Sequence, residues 1–354
     1  MGYITITSMR AKLAASVLVL LFAAVGSYFF NSKTAFATTL PVIYKSGTLA
    51  SNETWTSGNV YVVSSSSPLT VPSGVTLTID PGTIVKHRDA MQVNSGGSLV
   101  VNGTTADPVI FTSYKDDAYG GDSNGNGAST GAFNDFSTAL TVSGGDVEIN
   151  HALMQDSYYS MRITCYSDTD VVVNDSTVKG MTSVSGCGQG QLSMERNTFD
   201  VESAHVDNLN RAITVVGSSD PSGIVLVGAN KNTFVGTAIG ANIINLTNAS
   251  IGAGSTWATD SGGEVILTID SNGLSLVGTL TLASDTVIKI KNGGIQNNNG
   301  GVLNITGTSG HPVTVTSYKD DSVGGDTNGD GTATTGSIYD LDTLLYLNGG
   351  VLLI

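Results

Sequence analysis

Two runs of oxygen-bearing side chains stand at alternate positions and close on a glycine. Asp122, Asn124, Asn126 and Gly127 form the first; Asp326, Asn328, Asp330 and Gly331 form the second. Alternate Asp and Asn residues in a tight turn can aim several oxygens at one point, and the glycine lets the backbone reverse. That is the chemistry of a hard divalent cation, Ca²⁺ above all, since Mg²⁺ favours water and phosphate over an all-protein cage. An EF-hand would place a bidentate Glu further along, but Phe133 and Ser337 stand there, and no helical pattern flanks either run. The remaining ligands must come from the flanking acids. Asp116, Asp117 and Asp135 surround the first run; Asp320, Asp321 and Asp340 surround the second. One residue of each pair is expected to complete its site. The bland alternative is an acidic loop of Asx turns with no ion.

The two runs belong to one duplication. Residues 113–127 (SYKDDAYGGDSNGNG) and 317–331 (SYKDDSVGGDTNGDG) agree at 11 of 15 positions. The likeness extends to GVTLTIDPGTIVK (74–86) and GTLTLASDTVIK (278–289), and to GGSLVVNGT (96–104) and GGVLNITGT (300–308). Trp55 matches Trp257, and Gly145 matches Gly350. A repeat this large is an architectural unit. It predicts a first module over 38–248 with its cation loop at 113–135, and a second over 249–354 with its loop at 317–340. The second stops short of the first's length, so the reading expects an incomplete module.

Apolar residues alternate in bursts of three to five, each closed by Gly, Asn, Asp or Ser, and no apolar 3.6-residue period lasts three turns. Short half-buried strands follow. The bursts recur at steady intervals: Leu77 to Leu99, Val147 to Val171 and Val171 to Leu192. A unit of roughly 20 residues with about three short strands is a β-helix coil, whose strands stack in parallel on the next coil. The fold class is therefore all-β, a parallel β-helix solenoid of two tandem modules. Cys165 and Cys187 lie 22 residues apart, one coil, and an even cysteine count in an exported chain suggests a disulfide stapling neighbouring rungs. Three segments align at their ends: VVVNDSTV (171–178), LSMERNTF (192–199) and VGANKNTF (227–234). This puts Asp175, Arg196 and Lys231 in one column, beside Ser176, Asn197 and Asn232. A solvated charge ladder is the plain reading of that column; a carboxylate–arginine catalytic pair is the sharp one.

Together, GVTLTIDPGTIVK, GGSLVVNGT, DPVIFTS (107–113) and the KDD…GGD loop resemble the modules of exported bacterial right-handed parallel β-helix proteins. The resemblance covers about 43–150 and 250–354. It implies an architecture common among surface and secreted proteins, without fixing an activity.

Export is expected independently. Arg10 and Lys12 precede an apolar run, and Ala35-Phe36-Ala37 gives a small-x-small cleavage site, so residues 1–37 read as a signal peptide, with a retained anchor as the alternative. Without them the chain has 12 basic and 29 acidic residues, a formal charge of −17. Such a surface repels nucleic acid and anionic lipid and attracts cations. Of the histidines His87, His151, His205 and His311, none forms an HxxxH pair, and no GxSxG elbow or P-loop is present. Abundant acids leave a glycosidase pair open. Aromatics at 6% are sparse for a sugar groove. The sequence thus points to a non-enzymatic, calcium-stabilised stalk or adhesin-like surface protein facing a polysaccharide or a neighbouring cell. A carbohydrate-active enzyme (lyase or glycoside hydrolase) and a carbohydrate-binding module are the alternatives.

Overall fold

A computed structural model describes residues 40–64, 67–201, 211–236, 239–252, 254–257, 265–331, 333–337, 339–341 and 343–354. The expected signal peptide and His205 lie outside them. The described residues form one compact unit.

The chain is all-β, and its parallel sheets stack in register as a right-handed β-helix solenoid. Each coil visits three strand columns in turn. Val42–Lys45, Val60–Val63, Ile84–His87, Val109–Ser113 and Ala152–Met154 begin the first column. Leu69–Val71, Met91–Asn94, Phe136–Ser143, Ser157–Thr164 and Met181–Ser185 begin the second. Glu53–Trp55, Thr76–Ile79, Ser98–Asn102, Asp146–Asn150, Val171–Asn174 and Leu192–Glu195 make the third. The expected intervals are the observed registers: Leu77 pairs with Leu99, Val147 with Val171, and Val171 with Leu192. Those residues are buried, with their neighbours along the strand less so, because period-2 side chains alternate between core and solvent.

The repeated Gly-Gly pairs turn one corner of the coil. Gly96 and Gly144 take positive φ, which glycine adopts without strain. Gly97 and Gly145 follow with no room for a side chain: a Cβ at Gly97 would lie 2.6 Å from the Val71 carbonyl oxygen, and one at Gly145 2.6 Å from that of Asn94.

Cys165 and Cys187 are disulfide-bonded on adjacent rungs, Cα atoms 4.7 Å apart, just beyond the paired residues Thr164 and Ser185. Where the third column turns toward the first, the asparagines stack as a ladder. Ser176 N–H donates to Asn197 Oδ1 (3.0 Å) and Asn197 N–H to Asn232 Oδ1 (2.9 Å). Their amides donate onward to the carbonyls of Val173 and Met194, both at 2.7 Å. Each buried amide thus closes backbone groups that the turn would otherwise orphan.

The second repeat is displaced by one face. Val287–Ile290 is the sequence counterpart of Ile84–His87, yet it continues the second column through Ile213–Val216, Ile243–Ile251 and Ile266–Leu276. Ile243–Ile251 crosses residue 248 and pairs on both sides, so the stack is continuous where the modules were expected to meet. A separate parallel sheet of Ser255–Trp257, Thr279–Leu282, Val302–Ile305 and Val351–Leu353 completes these coils.

Candidate metal centre

Each acidic loop is an insertion between consecutive strands. The first leaves Val109–Ser113 and enters Phe136–Ser143; the second leaves Thr314–Ser317 and enters Leu345–Asn348. The loops therefore flank the second column, one entering it and one leaving it. Seven strand steps separate Phe136–Ser143 from Thr314–Ser317, about 34 Å at ~4.8 Å per step.

Both loops wind around their first aspartate. Asp122 Oδ1 accepts from Gly125 N–H (2.6 Å) and its Oδ2 from Gly127 N–H (2.9 Å). Asp326 accepts from Gly329 (2.7 Å) and Gly331 (2.8 Å) in the same way. All four glycines sit at positive φ, which is why glycine occupies those positions. Asn124 and Asn328 repeat the device on the next alternate residues, accepting from Asn126 N–H (3.1 Å) and Asp330 N–H (3.3 Å). The Asx turns and the convergent geometry are thus one structure.

The flanking aspartates divide into two kinds. Asp116 is buried and fully engaged: Thr112 Oγ1 (2.6 Å), Gln155 Nε2 (3.0 Å) and Ala118 N–H (3.0 Å) all donate to it. Asp320 is held likewise by Thr316 Oγ1 (2.5 Å) and by the Ser322 hydroxyl (2.6 Å), whose donation keeps its pKa low. Asp135 and Asp340 latch the loop ends, accepting from Lys115 at 2.7 Å and Lys319 at 2.8 Å. Asp117 and Asp321 are different. Asp117 uses Oδ2 on Ser129, while its Oδ1 is buried without a hydrogen-bond partner. Both oxygens of Asp321 are buried without one, as is Oδ1 of Asp330.

Asp321, Asp326 and Asp330 offer carboxylate oxygens that all lie within 4.8 Å of one another. Ligands at 2.3–2.6 Å from one Ca²⁺ are at most about 5 Å apart, so the residues fit a metal ion. Loss of water, reinforced by the charges of Asp326 and Asp330, pushes the Asp321 carboxyl above its ordinary pKa. Asp330 moves the other way, because Thr334 donates to it. Asp122 is also lowered, chiefly by the Gly127 N–H. Carboxylates drawn together against their own repulsion are a donor set suited to a hard divalent cation. In the first loop Asn126 replaces the third carboxylate, and among the described residues only the second loop gathers three.

A buried lysine lies beneath each loop. Lys86 Nζ donates to the Gly121 carbonyl (2.7 Å); Lys289 Nζ donates to the Gly325 carbonyl (2.6 Å) and to Thr327 Oγ1 (3.1 Å). Both are completely buried. Burial lowers both ammonium pKa values, while the loop aspartates oppose the change. Lys86 and Lys289 occupy equivalent positions in the duplication. The signal was there: a lysine at the inward end of an apolar strand, repeated in both copies (GTIVK and DTVIK).

The sharp reading of the middle column fares differently. Arg196 binds Asp175 through two parallel bonds (2.8 and 2.9 Å) and Glu195 through a third (2.7 Å). The pair lowers the Asp175 pKa and raises that of Arg196. A guanidinium held by two carboxylates at a partly exposed turn, with three of its five N–H groups engaged, fits the surface ladder.

A family model described as a pectate-lyase like beta helix domain matches residues 47–131, from the first coil into the first acidic loop. No curated protein and no solved structure matches the chain. The matched residues span the first coils and most of the first acidic loop, and the likeness concerns the fold.

Proposed function

We propose that the chain is an exported, non-enzymatic β-helix protein of the cell surface or exterior, a stalk or adhesin-like module that Ca²⁺ stiffens. The observation that carries this reading is the set of buried, unpartnered carboxylate oxygens on Asp321 and Asp330, with its weaker counterpart at Asp117. Loops braced by Lys86 and Lys289 and latched by Lys115 and Lys319 bring the acids close before any ion arrives. A divalent ion would neutralise that repulsion and tie each loop to its coil. Asp321, Asp326 and Asp330 would hold it in the second loop; Asp117, Asp122 and Asn126 in the first. The −17 charge suits the exterior and a polysaccharide or cell-surface partner. A carbohydrate-active enzyme is the second reading, favoured by the family description of residues 47–131; a carbohydrate-binding module is the third.

Incubation with a panel of neutral and uronic-acid polysaccharides, in Ca²⁺ and in chelator, separates them. The proposal expects neither reducing ends nor unsaturated products, together with Ca²⁺-dependent resistance of both loops to proteolysis. Turnover of any polysaccharide would establish the enzyme reading instead. Retention on a polysaccharide column without turnover would favour the binding module.

A further inference from the structure

Each acidic loop lies on an apolar strip outside the solenoid core. Every second side chain of a strand faces outward, where it ordinarily meets solvent. Ile244 and Leu246, Leu267 and Ile269, and Ile288 and Ile290 point into the core. Ile243, Ile266 and Val287 alternate with them and face outward, yet all three are buried. They pair in register, Ile243 with Ile266 and Ile266 with Val287, and form a second apolar cluster on which Val323 packs. The first copy repeats the pattern: Val60 and Val62 are buried, while Tyr61 and Val63 belong to the core.

The Gly-Gly pair of each loop sits on its strip. A Cβ at Gly324 would lie 2.4 Å from Ile266 Cδ1 and 3.6 Å from Val287 Cγ1; one at Gly120 would lie 2.4 Å from Val60 Cγ2 and 3.4 Å from Ile84 Cδ1. Glycine lets the backbone come that close, and both positions have positive φ. The next residues, Gly121 and Gly325, accept the bonds from Lys86 (2.7 Å) and Lys289 (2.6 Å). In the second loop Asp321 precedes this seat, whereas Asp326 and Asp330 follow it, and their carboxylate oxygens lie within 4.8 Å of one another. An ion held by all three would fasten the chain on both sides of the seat. Without the ion, like charges push the two flanks apart.

We propose that residues 321–331 are a cation-held strap whose release uncovers the strip of Ile243, Ile266 and Val287. The trigger rests on the calcium reading; the seat rests on the apolar strip and the glycines. Opening separates Asp321 from Asp326 and Asp330, so the ion binds the closed strap alone. At one hundred times Kd it lowers the open population about a hundredfold. Residues 321–331 carry no strand, so the ladders beneath survive the opening, which is local.

Thiol labelling of Val287→Cys tests the strap, with Ile243→Cys as a second reporter should the first not fold. Cys165 and Cys187 are bonded to each other, so the introduced thiol is the one that reacts. Val277→Cys, at an exposed position, gives the rate of an open thiol. In saturating Ca²⁺ the reporter should react far more slowly than that standard, and chelator should speed it about a hundredfold. Gly324→Val should speed it even in Ca²⁺, by propping the strap off Ile266. Gly325→Val, also at positive φ but with nothing within 4 Å of its Cβ, should leave it slow. Labelling at the open rate in Ca²⁺ would overturn the proposal. Equal labelling in Ca²⁺ and chelator, while calorimetry shows the ion bound, would overturn the strap and leave the calcium reading standing. Equal labelling with no heat of binding would overturn both.

Discussion

Acid should destabilise this solenoid through one buried imidazole. His87 is 1% exposed and stacked on Phe136, ring centroids 5.2 Å apart and nearly parallel. Its Nδ1 lies 3.0 Å from the Asp89 carbonyl, so the neutral ring donates there, and its buried Nε2 has no hydrogen-bond partner. Burial pushes its pKa down to about 4, against 6.5 for a free histidine. The folded state therefore refuses a proton that the unfolded chain accepts. The stability is complete above pH 6.5 and is lost as the pH falls from there toward about 4. At 1.36 kcal/mol per pH unit the whole effect is about 3 kcal/mol, and about 2 kcal/mol is gone by pH 5. Many aspartates titrate in the lower part of that window, so the measurement must be a difference. Urea unfolding of the wild type and of His87→Phe, at pH 7.5 and pH 5.0 in chelator, isolates the imidazole. The variant should lose about 2 kcal/mol less than the wild type between the two conditions. Equal losses in both proteins would mean that His87 charges freely in the folded state, and the reasoning would fail.

Three further outcomes follow from the same framework. Replacing Cys165 and Cys187 by alanine should lower stability by about 3 kcal/mol, the loop-closure value for a bridge of this span, read as a drop in melting temperature that reductant reproduces in the wild type. Asn197→Leu keeps the bulk but strands the Ser176 N–H and the Val173 carbonyl; urea unfolding should register a loss of about 2–4 kcal/mol, whereas a loss below about 0.5 would show the ladder to be ornamental. Lys289→Met removes the resident cation beneath the second loop, so the free energy of urea unfolding should fall by about 2 kcal/mol in chelator and by clearly less in Ca²⁺, where the ion supplies the missing charge.

Much of the solenoid is legible in the sequence because its period is local. The spacing of Leu77, Leu99, Val147, Val171 and Leu192 is the register itself, and the shared endings of DSTV, RNTF and KNTF place Ser176, Asn197 and Asn232 in one ladder. The shift of the second repeat by one face is not legible. It depends on how Ile243–Ile251 and Ile266–Leu276 run long through a corner, and no local pattern encodes which column a strand joins. The acidic residues were found by type and spacing, but their division of labour was not. Asp116 and Asp117 are adjacent and chemically identical. Only the path of the backbone turns one toward Thr112 and Gln155 and leaves an oxygen of the other unpartnered. Lys86 and Lys289 escaped because a lysine is ordinarily read as surface, and their work depends on a loop some 35 residues ahead.

The central claim is that these loops are cation sites, and titration calorimetry with Ca²⁺ tests it most directly. The protein should bind two ions, the tighter in the second loop, where Asp330 adds a charge that Asn126 lacks. Asp321→Asn with Asp326→Asn should remove the tighter site and leave the weaker one intact. At one hundred times Kd the ion should stabilise the fold by about 2.7 kcal/mol per site. No heat at millimolar Ca²⁺, with melting unchanged by chelator, would contradict the account and leave the two loops as acidic turns.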